Sequence, residues 1–185
     1  MIRRFLAFAA LSWCFPVALL RAGDTPNWQE ILAQRLSLYG HRNWIVVADS
    51  AYPAQASAGI ETIVSHADQL SVLQGVLRAI RASKHVRPVI YTDQELKFVD
   101  EQDAPGIQKY REELRTLLGK GEVQALPHEE IIAKLDQASK MFRILIIKTD
   151  LTLPYTSVFL ELRAGYWSDA AERRLRKVMT QHTTH

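Results

Sequence analysis

Gly40-His41-Arg42-Asn43-Trp44-Ile45-Val46-Val47-Ala48-Asp49 decides the fold. Before it, Trp28, Ile31, Leu32, Leu36 and Tyr39 fall on one helical face, and Gly40 supplies the stop. Thr25-Pro26 reads as the start of that helix, an N-cap followed by proline at the first helical position. Residues 45–48 are apolar at every position and too few for a helix, so they read as a short buried strand. Asp49 ends that strand, and Pro53 turns the chain into a loop because the residue before proline avoids helical geometry.

Working outward, the alternation repeats. A second strand is expected over 60–65, followed by a helical stripe of Leu70, Val72, Leu73, Val76, Leu77 and Ile80. Residues 87–99 read as extended around Val89, Ile90 and Tyr91, and 105–118 as a helix stopped by Gly119. A strand at 123–126 leads into a helix at 129–139. The most apolar run, 144–147, and the alternating stretch 158–162 are strands, and a polar helix follows over about 168–182. Strands alternating with helices predict an α/β three-layer sandwich: a largely parallel central sheet, helices on both faces, and an extra C-terminal helix. Residues 149–156 are too few for a helical crossover, so the last two strands are expected to be antiparallel neighbours.

The ends are set apart from this body. Arg3 and Arg4 precede an apolar stretch at 5–20, closed by Arg21-Ala22-Gly23-Asp24. This is the layout of a secretory signal over residues 1–23, short for a membrane-spanning helix. The expected location is therefore periplasmic or secreted, or membrane-anchored if the signal is uncleaved. Lys and Arg number 23 against 20 Asp and Glu, and loss of Arg3, Arg4 and Arg21 leaves 20 against 20. The basicity is mostly targeting charge and not a nucleic-acid footprint. The single cysteine, Cys14, leaves as well, so no disulfide, thiolate nucleophile or cysteine metal site is expected in residues 24–185. With 48% hydrophobic and 23% charged residues overall, the chain has the composition of a globular protein, read as one folded domain, about 24–166, plus a helical extension at 167–185.

Three elements carry the chemistry: Gly40-His41 with Asp49, then Pro127-His128, then Pro154-Tyr155. Each puts a proton-handling side chain at the end of an apolar run, where α/β proteins bind ligands. Imidazole titrates nearest neutrality, so His41 is a candidate general acid or base, or else a cap on the preceding helix's carbonyls. Asp49 is placed to orient a histidine or accept from a sugar hydroxyl, or else to close the turn before Pro53. His128 sits at a strand-to-helix junction, and the Tyr155 phenol sits in a tight connection. His66 and His85 read as surface residues flanking a helix. No histidine pair has zinc-motif spacing, and the glycines form no nucleotide-binding pattern, so no metal or cofactor is expected.

In order and spacing the set resembles the D-ribose pyranase / L-fucose mutarotase (RbsD/FucU) family over roughly residues 28–166. The matching pieces are Gly40-His41-Arg42-Asn43, Val46-Val47-Ala48-Asp49 with Pro53, Pro127-His128-Glu129, Pro154-Tyr155-Thr156-Ser157 and Ala164-Gly165. The resemblance implies metal-independent opening and reclosure of a free monosaccharide ring. It makes His41 the proton donor and Asp49 its catalytic partner, with Asp49, His128, Tyr155, Thr156 and Ser157 contacting the sugar. It also implies a ring-like homo-oligomer with pockets shared between subunits. Ser157 stands where the family usually has asparagine, and Asp150 where it often has glutamate. The alternative is a non-catalytic exported monosaccharide-binding or sensor protein on the same fold. Membrane contact is expected only through an uncleaved signal or the amphipathic C-terminal helix.

Overall fold

The computed structural model describes residues 27–119, 121 and 123–182. The expected signal segment, Cys14, the Thr25-Pro26 cap and Glu122 lie outside the described residues. Helix α1 (Trp28–Leu38) is capped by Asn27, whose side chain accepts from the Glu30 amide. Strand β1 (Trp44–Ala48) is buried at every residue, as its apolar run requires. Strand β2 (Ile60–Val64) follows, then helix α2 (Gln69–Ala82), capped by Asp68 and burying Val72, Leu73, Val76, Leu77 and Ile80. Next come strand β3 (Val86–Asp93), helix α3 (Ile107–Leu118), strand β4 (Val123–Leu126), helix α4 (His128–Ser139), strand β5 (Ile144–Lys148), strand β6 (Val158–Ala164) and helix α5 (Asp169–His182).

The sheet order is β2-β5-β1-β6-β3-β4. β2, β5, β1, β3 and β4 run in one direction, while β6 is antiparallel to both neighbours, β1 and β3. The largely parallel sheet expected from the alternation is therefore present. The last two strands are antiparallel in direction but are not neighbours, because β1 lies between them. β1 and β5 are apolar on every Ile, Leu and Val, and the centre of the sheet is where both faces are covered.

One face packs Ile45, Val47, Leu145, Ile147, Leu160 and Leu162 against α1, α2 and α3. The other packs Val46, Ile144, Ile146 and Phe159 against Ile131 and Leu135 of α4. This is the three-layer arrangement, with α5 added after β6. Its first turn is tied to β3 by an Arg87–Asp169 ion pair at 2.8 Å.

β3 is shorter than its apolar pattern suggested. It ends at Asp93, opposite Leu126 at the end of β4, and a 3₁₀ turn over Gln94–Lys97 tucks Leu96 inward. The pairing partner ends there, so the extended chain has nothing further to hydrogen-bond.

Candidate functional site

Because five strands are parallel and β6 is reversed, one edge of the sheet collects the residues just after β1, β3, β4 and β5 and just before β6. Asp49, Asp93, His128, Thr149 and Tyr155-Thr156-Ser157 all lie there.

Asp49 is held on two sides. Ser157 Oγ donates to its Oδ2 at 2.9 Å, and the Ala51 amide donates to Oδ1 at 2.9 Å. An ionised carboxylate has about four acceptor positions, so two donors leave room for sugar hydroxyls. Ser157 is itself buried. Ser157→Ala removes one donor to a charged group, a change of about 1.5 kcal/mol at the pocket. The expected result is a sugar KM raised roughly tenfold with kcat little changed. An unchanged KM in exchange kinetics would show that Asp49 orients itself without Ser157.

His128 is the first residue of α4. Its backbone N–H donates to the Glu95 carboxylate at 3.0 and 3.1 Å, which places an acidic group at the helix start in place of a side-chain cap. Its ring meets Tyr155 edge-on, centroids 5.7 Å apart at 82°, and its Nδ1 lies 3.1 Å from Asp93 Oδ1. Asp93 is buried, and burial pushes its carboxyl above the usual range while the His128 contact pulls it back. Asp93 Oδ2 has no partner, nor does the buried Tyr52 hydroxyl, which burial and the nearby Asp93 drive toward its protonated form.

Tyr155 adopts φ +55°, uncommon for a residue with a side chain. The loop is pinned from beneath. Thr156 Oγ1 donates to the Leu153 carbonyl, while the Thr156 carbonyl accepts from both the Tyr110 hydroxyl and Gln69 Nε2. Gln69 Oε1 in turn accepts from Thr149 Oγ1, whose hydroxyl also lies 2.9 Å from the Ala48 carbonyl. Thr156 is thus buried scaffolding on its hydroxyl side, and Tyr155 is the partly exposed member of the segment.

His41 lies elsewhere. It precedes β1, whereas Asp49 follows it, and the five residues of β1 alone span about 16 Å. Within one chain His41 therefore sits at the opposite sheet edge, in a groove with Arg42, Arg163 and Trp167 beside α5. The helix-capping alternative considered for His41 is filled by a different histidine. His85 Nε2–H donates to the Leu36 and Tyr39 carbonyls, each at 3.1 Å, at the end of α1. His85 is exposed, as expected of a surface residue, and in addition ties down the end of α1, while His41 is exposed with its ring uncommitted.

Asp93, Glu95, Gln69 and Tyr110 were not singled out from sequence. Asp93 had a readable signal, since like Asp49 it follows an apolar run, here Val89-Ile90-Tyr91. Among the described residues, no group of three or more His, Cys, Asp or Glu side chains is placed to hold a metal ion. No helix among them is long and apolar enough to cross a membrane.

Sheet and edge define an α/β sandwich with a carboxylate, imidazole and phenol cluster at its strand ends. Within that class the chain belongs to the RbsD/FucU family, whose model, described as the RbsD / FucU transport protein family, matches residues 25–164. Members of this family are sugar pyranases and mutarotases. RbsD from Bacillus subtilis, solved in complex with D-ribose, is 22% identical with a TM-score of 0.52, covering 75% of this chain and 93% of its own. The fucose mutarotase of Streptococcus pneumoniae in complex with L-fucose is 19% identical with a TM-score of 0.46, covering 70% and 89%. FucU from Bifidobacterium longum is 15% identical with a TM-score of 0.46, covering 72% and 93%. No curated protein matches the chain.

Proposed function

We propose that this protein is a sugar isomerase of the mutarotase or pyranase kind. It opens and recloses the ring of a free monosaccharide by acid/base chemistry, in a pocket completed by a second copy of the chain. The observation that carries the reading is the convergence of Asp49, His128 and Tyr155 on one sheet edge, with their polar atoms only partly satisfied by the protein. Family membership and the D-ribose complex of the Bacillus subtilis relative support a small sugar as ligand.

Opening a hemiacetal removes the anomeric hydroxyl proton and protonates the ring oxygen, and closure reverses both. In this reading His41 is the proton donor to the ring oxygen. Asp49 accepts sugar hydroxyls, and His128 with the 155–157 segment frames the sugar. His41 is too far from Asp49 to serve the same sugar within one chain, so it comes from a neighbouring subunit of a homo-oligomer. The signal-like sequence of residues 1–23 supports a location outside the cytoplasm, periplasmic or secreted, or membrane-anchored if the signal is uncleaved.

Magnetisation-exchange NMR on the purified protein with D-ribose, L-fucose and other pentoses and 6-deoxyhexoses tests the reading. Accelerated exchange between sugar forms is the expected result. Saturation transfer to a bound sugar without acceleration would replace the isomerase with the binding or sensor protein on the same fold.

A further inference from the structure

Ring opening needs a group to take the anomeric proton as well as one to give a proton to the ring oxygen. The identity of that base rests on the isomerase reading. Asp49, steadied by Ser157 and Ala51, keeps its remaining acceptor positions for holding sugar hydroxyls. His128 is different, because its two ring nitrogens have opposite surroundings.

Nδ1 faces Asp93 Oδ1 at 3.1 Å, and the Asp93 side chain is only 1% exposed. The His128 contact opposes the effect of burial on Asp93, and with Asp93 held as a carboxylate its Oδ1 accepts, which puts the hydrogen on Nδ1 and leaves Nε2 of the neutral ring as a bare lone pair. Nε2 points away from Asp93, on a side chain about one-third exposed (32%), and it is not among the buried polar atoms lacking a partner. The Tyr155 ring edge and the Glu95 contact to the His128 amide hold the residue from two further sides. The groups that shift Asp93 are His128, Glu95 and Asp49, with the Tyr52 phenol nearby, and of these His128 is the one that can carry positive charge; Lys97, Arg111 and Arg115 line the cavity on its other side. A buried carboxylate is costly unless paired. Here the pairing partner is a ring whose far nitrogen opens to the site.

We propose that Asp93 is a positioning residue that holds His128 in its Nδ1-protonated tautomer, so that His128 Nε2 takes the anomeric hydroxyl proton as the sugar ring opens. The anomeric O–H bond breaks to form N–H at Nε2, and its electrons form the aldehyde C=O. The bond from the anomeric carbon to the ring oxygen breaks, and that oxygen takes a proton from the acid. Closure returns both protons, with no net oxidation. Asp93 stabilises the imidazolium between the two steps without touching the sugar.

Two measurements on the full chain test this: long-range ¹H–¹⁵N NMR of the His128 ring, and exchange kinetics on D-ribose and L-fucose. The wild type is expected to show a protonated Nδ1 and an unprotonated Nε2. Asp93→Ala is expected to shift the ring toward Nε2–H and lower kcat by about 100-fold, with KM within about threefold. Asp93→Asn keeps the shape but loses the charge and can turn its amide N–H toward Nδ1, so it is expected to favour the Nε2–H tautomer and lower kcat by at least about 100-fold. If Asp93→Ala fails to fold, the Asn variant carries the test, and a wild-type kcat in it overturns the proposal. A wild-type ring protonated at Nε2 overturns the proposal while leaving the isomerase reading intact. A wild type that accelerates neither sugar overturns the isomerase reading and the base role together, while the spectrum still reports the Asp93 contact.

Discussion

Mixing His41→Ala subunits with Asp49→Asn subunits, by co-expression or by refolding together, is expected to restore exchange activity that neither variant has alone. Each single variant removes one proton-handling or sugar-holding group and is expected to lose about 10²–10⁴-fold in rate. Neither should disturb the fold. His41 is exposed with no role in the core, and Asn keeps the shape that Ser157 and Ala51 bind at position 49. In a pocket built from His41 of one copy and Asp49 of the next, random mixing leaves about a quarter of sites with both wild-type groups. The reciprocal control mixes wild type with a chain carrying both substitutions. A shared pocket then retains about a quarter of the wild-type rate, whereas a pocket within one chain retains about half. No recovery from the two single variants, with half retained in the control, would mean that His41 reaches Asp49 within its own subunit. The 16 Å of intervening β1 argues against that.

The separation of His41 from Asp49 also shows what can be read from residues alone. The two are eight positions apart with an apolar run between them, and a motif scan treats such neighbours as one constellation. A strand converts those positions into distance, so the same pattern that reveals β1 also moves the pair to opposite edges. Strands and helices were legible because burial imposes periodicity. The Val72 to Ile80 stripe and the unbroken 144–147 run have no other sensible reading. The order of strands was not legible, because the β1–β5 and β1–β6 pairings join segments about a hundred residues apart. The strand-end signal at Asp93 was masked by the residues that follow it. The apolar residues continue past it at Leu96, Phe98 and Val99, so the pattern reads as one longer strand where the chain in fact turns. Gln69 was hidden by adjacency to an apolar stripe, where a lone glutamine at a helix start looks like surface.

That glutamine supports the second large effect. Gln69→Leu is expected to destabilise the protein by about 2–4 kcal/mol and to raise the sugar KM about tenfold. Gln69 is fully buried and ties three neighbouring segments together. From the start of α2 it reaches the Tyr110 hydroxyl on α3, the Thr149 hydroxyl after β5, and the Thr156 carbonyl before β6. Leucine fills the volume but satisfies none of these atoms. Thr149 keeps the Ala48 carbonyl and Thr156 keeps Tyr110, so the network is weakened rather than left fully unpaired. The loss therefore falls below that of an uncompensated buried charge. The effect on KM comes through the loop. Tyr155 holds φ +55°, a conformation that costs of order 1–3 kcal/mol and persists only while its neighbours are fixed. With Thr156 held by one bond instead of two, the loop can relax and carry the Tyr155 ring away from His128. Tyr110→Phe removes the other bond to the Thr156 carbonyl and is expected to give a smaller change in the same direction. Denaturant midpoints at unchanged m-value read the stability term, and exchange kinetics read the loop. A Gln69→Leu protein within about 0.5 kcal/mol of wild type, with unchanged KM, would mean that the 154–157 segment is held by its proline and the β6 ladder alone, without the buried network beneath it.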